Sequence, residues 1–397
     1  MKLKRNVPIF YFTSALMWGR FFIPVLALFY IASKVTLAQF SLIMGIFSLS
    51  IFLLEVPTGV IADLLGKKKT LLLSRFCYII EIILIAFFNG FWVFLIAKII
   101  SGIGVSLSSG TGSAMLFDTL KKQKRVNQHK RISGSISMVS NISMAFVFII
   151  GAYLFSIDPK LPAIVSLPFI ILGFLLTFFL EEPYKPNKIF NVKNYFKHLK
   201  EGFIYFNKSP YIKYIALLSL FVSAAISISL SMSSVYFEKI LIPVSFIGVL
   251  AFVAAMITAF SSKKAHELEN FFGEKKSLIL IQISAVVALF LIALLIPYYG
   301  YLLYLIIPFI SGFSGVILGD YINHHIQSSH RSTILSINGM FSNFGIFVLF
   351  PLIGFIEKGY GFSNSFLIFG LIVLIGLIIL NLFSRKIYSD DIPKPLN

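Results

Sequence analysis

The feature of this chain that most narrows its fold is a succession of apolar runs, each about as long as a helix needs to cross a bilayer. A hydrocarbon core of about 30 Å takes roughly 20 helical residues per crossing. Against that length the sequence offers twelve spans, at approximately 8–32, 37–58, 69–89, 91–117, 132–157, 162–180, 211–236, 242–262, 276–297, 300–322, 332–356 and 363–384. A water-soluble domain of 397 residues has no core large enough for 58% hydrophobic residues at a mean hydropathy of +0.91. The expected fold is therefore an all-α membrane protein of twelve transmembrane helices. The start, MKLKRN, precedes an apolar run that continues past residue 30 without a small-residue cleavage site, so it reads as a first spanning helix. The single cysteine, Cys77, lies inside an apolar run and reads as a packing residue.

Lysine and arginine collect on alternate loops. One side carries Lys67 to Lys69, then Lys121, Lys122, Lys124, Arg125, Lys130 and Arg131, then the polar stretch 181–210, then Lys263, Lys264, Lys275, Lys276 and Arg331. The other side has Lys34, Lys160, Lys239 and Lys358. Because cytoplasmic loops retain positive charge, both termini are expected in the cytoplasm. The net charge of +18 is thus parcelled into short loops bordering spans, which argues against a nucleic-acid surface. The stretch 181–210, with Pro183, Pro186 and six lysines, reads as a cytoplasmic linker with an amphipathic segment. It divides a six-helix bundle at 1–180 from a second at 211–397.

The two halves echo each other. Asp118 is followed at nineteen residues by Ser137-Met138-Val139-Ser140-Asn141, and Asp320, at the same spacing, by Gly339-Met340-Phe341-Ser342-Asn343, an offset of 202. GKKKTLLL from Gly66 is echoed by GEKKSLIL from Gly273, an offset of 207. The second copy has Asn270 for Asp63 and Glu274 for Lys67, so one loop alone keeps its full charge pattern.

That loop, PTGVIADLLGKKK at 57–69, places Gly59, Asp63 and Gly66 before Lys67 and Lys68. The pattern resembles the signature between the second and third helices of major facilitator superfamily transporters, and the resemblance extends over essentially the whole chain. It implies two six-helix bundles that rock about a midplane site, with the first, fourth, seventh and tenth helices around a central cavity. It also implies that Asp63 and Lys67 join Asp118 in a charge cluster that latches the cytoplasmic side. Leu64 departs from the pattern, since many relatives have a basic residue after the aspartate. A second reading gives Gly59 and Gly66 only a tight turn and the lysines only topology. The fifth helix, with Ser140-Asn141-Ile142-Ser143-Met144-Ala145-Phe146-Val147, lacks the Gly-Pro-rich signature of the drug-exporting branch.

Ionisable residues deep in a bilayer are costly, so each calls for a reason. Arg20 falls about twelve residues into the first span and offers a planar fork to a carboxylate or phosphate; the other reading is an internal ion pair. Glu81 and Lys98 lie eight to nine residues either side of the Asn89-Gly90 hairpin, which puts them at like depth on adjacent helices. They read as a structural salt bridge or as a proton-coupling pair. Glu81 is also the competitor for Arg20, with Lys98 better placed to occupy it. Glu55 reads as an anchor of loop geometry.

Ser219, Ser223, Ser227 and Ser231 form one stripe on the seventh helix, either lining a cavity or packing closely. Asp320 with His324, His325 and His330 is only a weak metal suggestion, and no nucleotide-binding glycine loop is present. The sequence therefore describes no enzyme. The resemblance implies a monomeric secondary transporter of the cytoplasmic (inner) membrane, without cofactor, and the expectation is that it moves a small organic solute by alternating access with proton coupling. The expected partners are an anionic or zwitterionic substrate, membrane lipids and protons. The alternatives are an exporter of multidrug or lipid-like compounds and, from another class, a non-transporting membrane sensor or scaffold.

Overall fold

An apolar segment in lipid has no water to take up its backbone N–H and C=O groups, so it must satisfy them within itself, as a helix does. The computed structural model describes residues 2–184, 209–324 and 331–389 together with Ile204, Phe206 and Asn207, and among these no strand occurs. Most of the 181–210 linker with its amphipathic segment, His325, His330 and the tail beyond residue 389 lie outside the described residues.

Nine helical stretches among the described residues are long and apolar enough to cross a membrane. The shorter apolar helices Ile23–Ala32 and Leu161–Thr177 add two more, and dividing the longest stretch, Ile334–Phe383, at Gly361 (φ 80°) gives twelve. Eight spans are unbroken: Leu37–Leu65, Lys67–Phe87, His129–Ile157, Leu161–Thr177, Val244–Phe272, Glu274–Ala293 and the two into which Gly361 divides Arg331–Ser389.

The first, fourth, seventh and tenth spans are each interrupted, which apolar length does not reveal. The first runs as Asn6–Met17, then a 3-10 turn Ile23–Val25, then Leu26–Ala32. Pro24 supplies no N–H, so the Arg20 carbonyl lacks the donor that a continuous α-helix would bring to it. The fourth is split into Phe91–Ser108 and Thr111–Lys122 by Gly110, whose φ of 69° suits a residue without a Cβ. The seventh divides into Pro210–Ser231 and Ser233–Lys239, the tenth into Gly300–Tyr304 and Ile306–His324.

By their contacts the residues form two units. The first comprises Met1–Thr36, Leu53–Val192 and Pro243–Phe252; the second comprises Leu37–Phe52, Lys193–Ile242 and Val253–Asn397. Lipid tails are as apolar as leucine, so close packing and polar contacts, rather than exclusion of water, hold such helices together. In the first unit Phe10, Leu71, Met115, Leu116, Leu120, Ile132 and Leu180 form one buried cluster. Beside it Asn6, fully buried, donates to Thr119 Oγ1 at 3.0 Å and to the Glu181 carbonyl at 2.8 Å, tying the start of the first span to the end of the sixth. In the second unit Phe40 of the second span meets Phe350 of the eleventh edge to face at 5.8 Å.

Candidate functional site

The break in the first span frees backbone groups that a continuous helix would pair, and the chain satisfies them locally. The Arg20 N–H donates to the Trp18 carbonyl at 2.6 Å, the Ile23 N–H to the Arg20 carbonyl at 3.1 Å, and the Phe21 N–H to Ser166 Oγ at 2.9 Å. Gly151 of the fifth span allows this path, because a Cβ there would collide with the Phe21 carbonyl.

The interruption delivers Arg20 to the third span. Arg20 Nη2 donates to Glu81 Oε2 at 3.1 Å, and its guanidinium lies over the Tyr78 ring with 4.0 Å to the centroid. Lys98 Nζ donates to the other carboxylate oxygen, Glu81 Oε1, at 2.8 Å. The sequence reading left Arg20 open between a substrate anion and an internal ion pair with Glu81, and judged Lys98 the better placed of the two cations to occupy that glutamate. A carboxylate has two oxygens, however, and Glu81 uses one for each cation. The three groups carry a net charge of +1, and their side-chain exposures of 0% for Glu81, 6% for Lys98 and 15% for Arg20 leave the arginine as the reachable member. Such charges are tolerable in low dielectric only because each is paired and hydrogen-bonded.

At the lysine-rich end, Lys67 Nζ contacts Asp118 Oδ2. Asp63 is exposed and makes no hydrogen bond or ion pair among the described residues, and Gly59 is exposed one turn before it. The partner that sequence reasoning missed here is Glu182, whose carboxylate accepts the N–H groups of Lys67 at 3.1 Å and Lys68 at 2.8 Å. An anion at these unpaired amides complements the N-terminal dipole of the third span. The signal for it was the acidic pair Glu181-Glu182 directly after the sixth span. Ser109 Oγ donates to Glu55 Oε1 at 3.3 Å.

In the second unit Ser219 is buried, Ser223 shares a hydrogen bond with Ser342 at 3.1 Å, and Ser227 is half-buried.

A family model described as Major Facilitator Superfamily matches residues 9–322. The chain belongs to this superfamily. It is similar to an uncharacterized transporter of Buchnera aphidicola subsp. Acyrthosiphon pisum, 26% identical over 320 residues and 77% of each chain. Its fold is that of the crystal structure of nucleoside transporter NupG, with a TM-score of 0.78 at 13% identity over 97% of this chain and 100% of that one. It is equally that of D-xylose-proton symporter, with a TM-score of 0.72 at 12% identity over 94% and 96%. This superfamily member is thus a multi-pass membrane transporter and not an enzyme.

One buried charge of this transporter escaped the sequence reading. Arg75, eight residues into the third span, is 7% exposed, and its one hydrogen bond among the described residues is a long one, Nη1 to the Gly173 carbonyl at 3.4 Å. The lone basic residue in Ser74-Arg75-Phe76 was the available signal.

Proposed function

We propose that this transporter carries a small organic solute with an anionic group across the cytoplasmic membrane by alternating access, coupled to protons, with two helical bundles rocking about a midplane site. The observation that supports it is the cluster at the break in the first span, where two cations share one fully enclosed carboxylate. Its surplus positive charge suits an incoming anion, and Arg20, the reachable member, has donors left to form a two-point contact. An anion on Arg20 relieves Glu81 of one partner, so Glu81 then accepts a proton at lower cost. Substrate and proton thereby enter together and leave together, which is symport by charge balance. The structural neighbours, a nucleoside transporter and a D-xylose-proton symporter, support a small hydroxylated solute and proton coupling.

In the same reading Lys67 and Asp118, with Gly59, Asp63 and Gly66 shaping the loop, latch the cytoplasmic side, and both termini lie in the cytoplasm. Ser219, Ser223 and Ser227 line the substrate path in the second half. The bundles correspond to residues 1–180 and 211–397, and the protein works as a monomer among membrane lipids.

The test is solute flux into proteoliposomes, with radiolabelled sugars and organic anions, with and without an imposed proton gradient. Gradient-driven accumulation is expected, and Glu81→Gln should abolish that drive while leaving exchange of internal for external solute. Accumulation of one of these solutes that ignores the gradient, or that Glu81→Gln leaves proton-driven, would overturn the coupling.

A further inference from the structure

Arg75 borders a cavity of 350 Å³ that lies wholly within the first unit. It is lined by Thr13, Ser14, Trp18, Ser108, Ser137 and Ser140 among others. The charge of Arg75 stands apart from the cluster around Glu81: no carboxylate pairs with it among the described residues, and its single carbonyl contact leaves most of its five donors unspent. A guanidinium enclosed to this degree needs a counter-charge or several waters, since an isolated cation in low dielectric is strongly disfavoured. The volume holds about ten waters at roughly 30 Å³ each, or an organic ion of six carbons with room to spare.

Tyr78 joins this cavity to the cluster. It lies one turn beyond Arg75, its ring carries Arg20 and its hydroxyl meets Ser108 at 3.3 Å on the cavity wall. An anion seated on Arg75 is therefore one tyrosine away from Arg20.

We infer that the Arg75 cavity is a binding site for a small hydroxylated organic oxyanion, the guanidinium gripping its carboxylate or phosphate and the serine and threonine hydroxyls its hydroxyl groups. This rests on the transporter reading only in identifying that ligand with the transported class. Arg75 is the anchor because its planar fork matches an oxyanion at two points; Ser14, Ser137 and Ser140 can both donate and accept, whereas Thr13 and Ser108 already donate to the carbonyls of Phe10 at 3.4 Å and Val105 at 2.9 Å and can only accept.

The test is calorimetry and thermal stability of the purified protein with D-gluconate, its uncharged counterpart sorbitol, inorganic phosphate, and phosphatidylglycerol in mixed micelles. Gluconate is expected to bind and to raise the melting temperature, sorbitol to do neither, and Arg75→Gln to weaken gluconate at least tenfold. Arg75→Lys should fall between, and Ser137→Phe, which keeps Arg75 and fills the cavity, should abolish binding even if Arg75→Gln fails to fold. Equal effects of gluconate and sorbitol, no effect of either soluble anion, undiminished binding by Ser137→Phe, or stabilisation by the lipid alone would each overturn the site. Binding that depends on Arg75 in a protein without flux would instead sink the transport reading and leave the site standing.

Discussion

The two units solve the same problem, how to keep polar groups inside a helical bundle, with different chemistry. The first spends charge: Arg20, Glu81 and Lys98 in one cluster and Arg75 in another. The second uses a closed ring of neutral groups, in which Gln282 donates to Tyr214 at 2.9 Å, Tyr214 to Asn381 at 3.1 Å and Asn381 back to Gln282 at 2.6 Å. The echo between the halves makes the contrast specific. At the offset of 207, Arg75 corresponds to Gln282 and Glu81 to Ala288. One copy of the repeat has thus kept groups that attract ions, while the other has groups that satisfy one another. A satisfied ring rigidifies a bundle, whereas a surplus charge waits for a partner.

The sharpest way to break this contrast is to delete one acceptor from each unit and compare the purified proteins by thermal denaturation. Glu81→Leu leaves two cations uncompensated, a loss expected at about 3–5 kcal/mol. Gln282→Leu strands one donor and one acceptor of neutral groups, at about 1–3 kcal/mol. Equal drops in melting temperature would mean that the charges are no more than another packing device.

A next step dissects the cluster. If Glu81 serves both cations, pairing Glu81→Leu with Lys98→Met recovers only part of the lost stability, because Arg20 remains unpaired; adding Arg20→Met recovers the rest. Full recovery by the double variant would show that Arg20 does not depend on Glu81.

The loops offer a functional form of the same comparison. Asp63→Asn is expected to lower flux at least fivefold at unchanged yield in the membrane, whereas Asn270→Asp, which restores the missing charge in the second copy, should change flux less than twofold. Matching losses at both positions would make the loops equivalent and remove the latch from the first.

The smallest effect concerns Lys160, in the turn between the fifth and sixth spans. Its ammonium donates to the carbonyls of Ile85 at 2.7 Å and Phe88 at 2.8 Å and lies 5.3 Å from the ring centroids of Phe29 and Phe94. Partial burial lowers its pKa to about 8, against the pull of neighbouring Asp158. Between about 8 and the ordinary lysine value of 10.5 the unfolded chain holds a proton that the folded chain has released, so this group favours folding increasingly as pH rises through that window. A melting curve series from pH 7.5 to 10 should show a slightly shallower alkaline loss for wild type than for Lys160→Gln. Parallel curves would mean that Lys160 titrates no differently in the fold.

Much of this could be read before any coordinates. The hairpin at Asn89-Gly90 sets the depth of Glu81 and Lys98 because antiparallel neighbours share a turn and a rise per residue, and in the structure Lys98 meets that glutamate. The contact of Lys67 with Asp118 lies where the family resemblance leads one to look. Arg20 is different. As part of a straight helix it has a depth and a contested claim on Glu81, and in the structure the interrupted stretch at 18–22 places it against Glu81 and Tyr78. Arg75 reads in sequence as one basic residue among apolar neighbours, and nothing local announces that four spans leave space beside it.

The sequence by itself determined the class and the count: apolar runs of bilayer length, alternation of lysine-rich loops and an internal echo are properties of residue type and spacing, which lipid reads directly. The tertiary structure decided which spans are broken, which carboxylate oxygen each cation takes, and which arginine borders a cavity. Those depend on contacts between residues far apart in the chain, such as Ser166 with Phe21 and Glu182 with Lys67, whose energies are comparable to the cost of interrupting a helix. No periodicity within a single span records them.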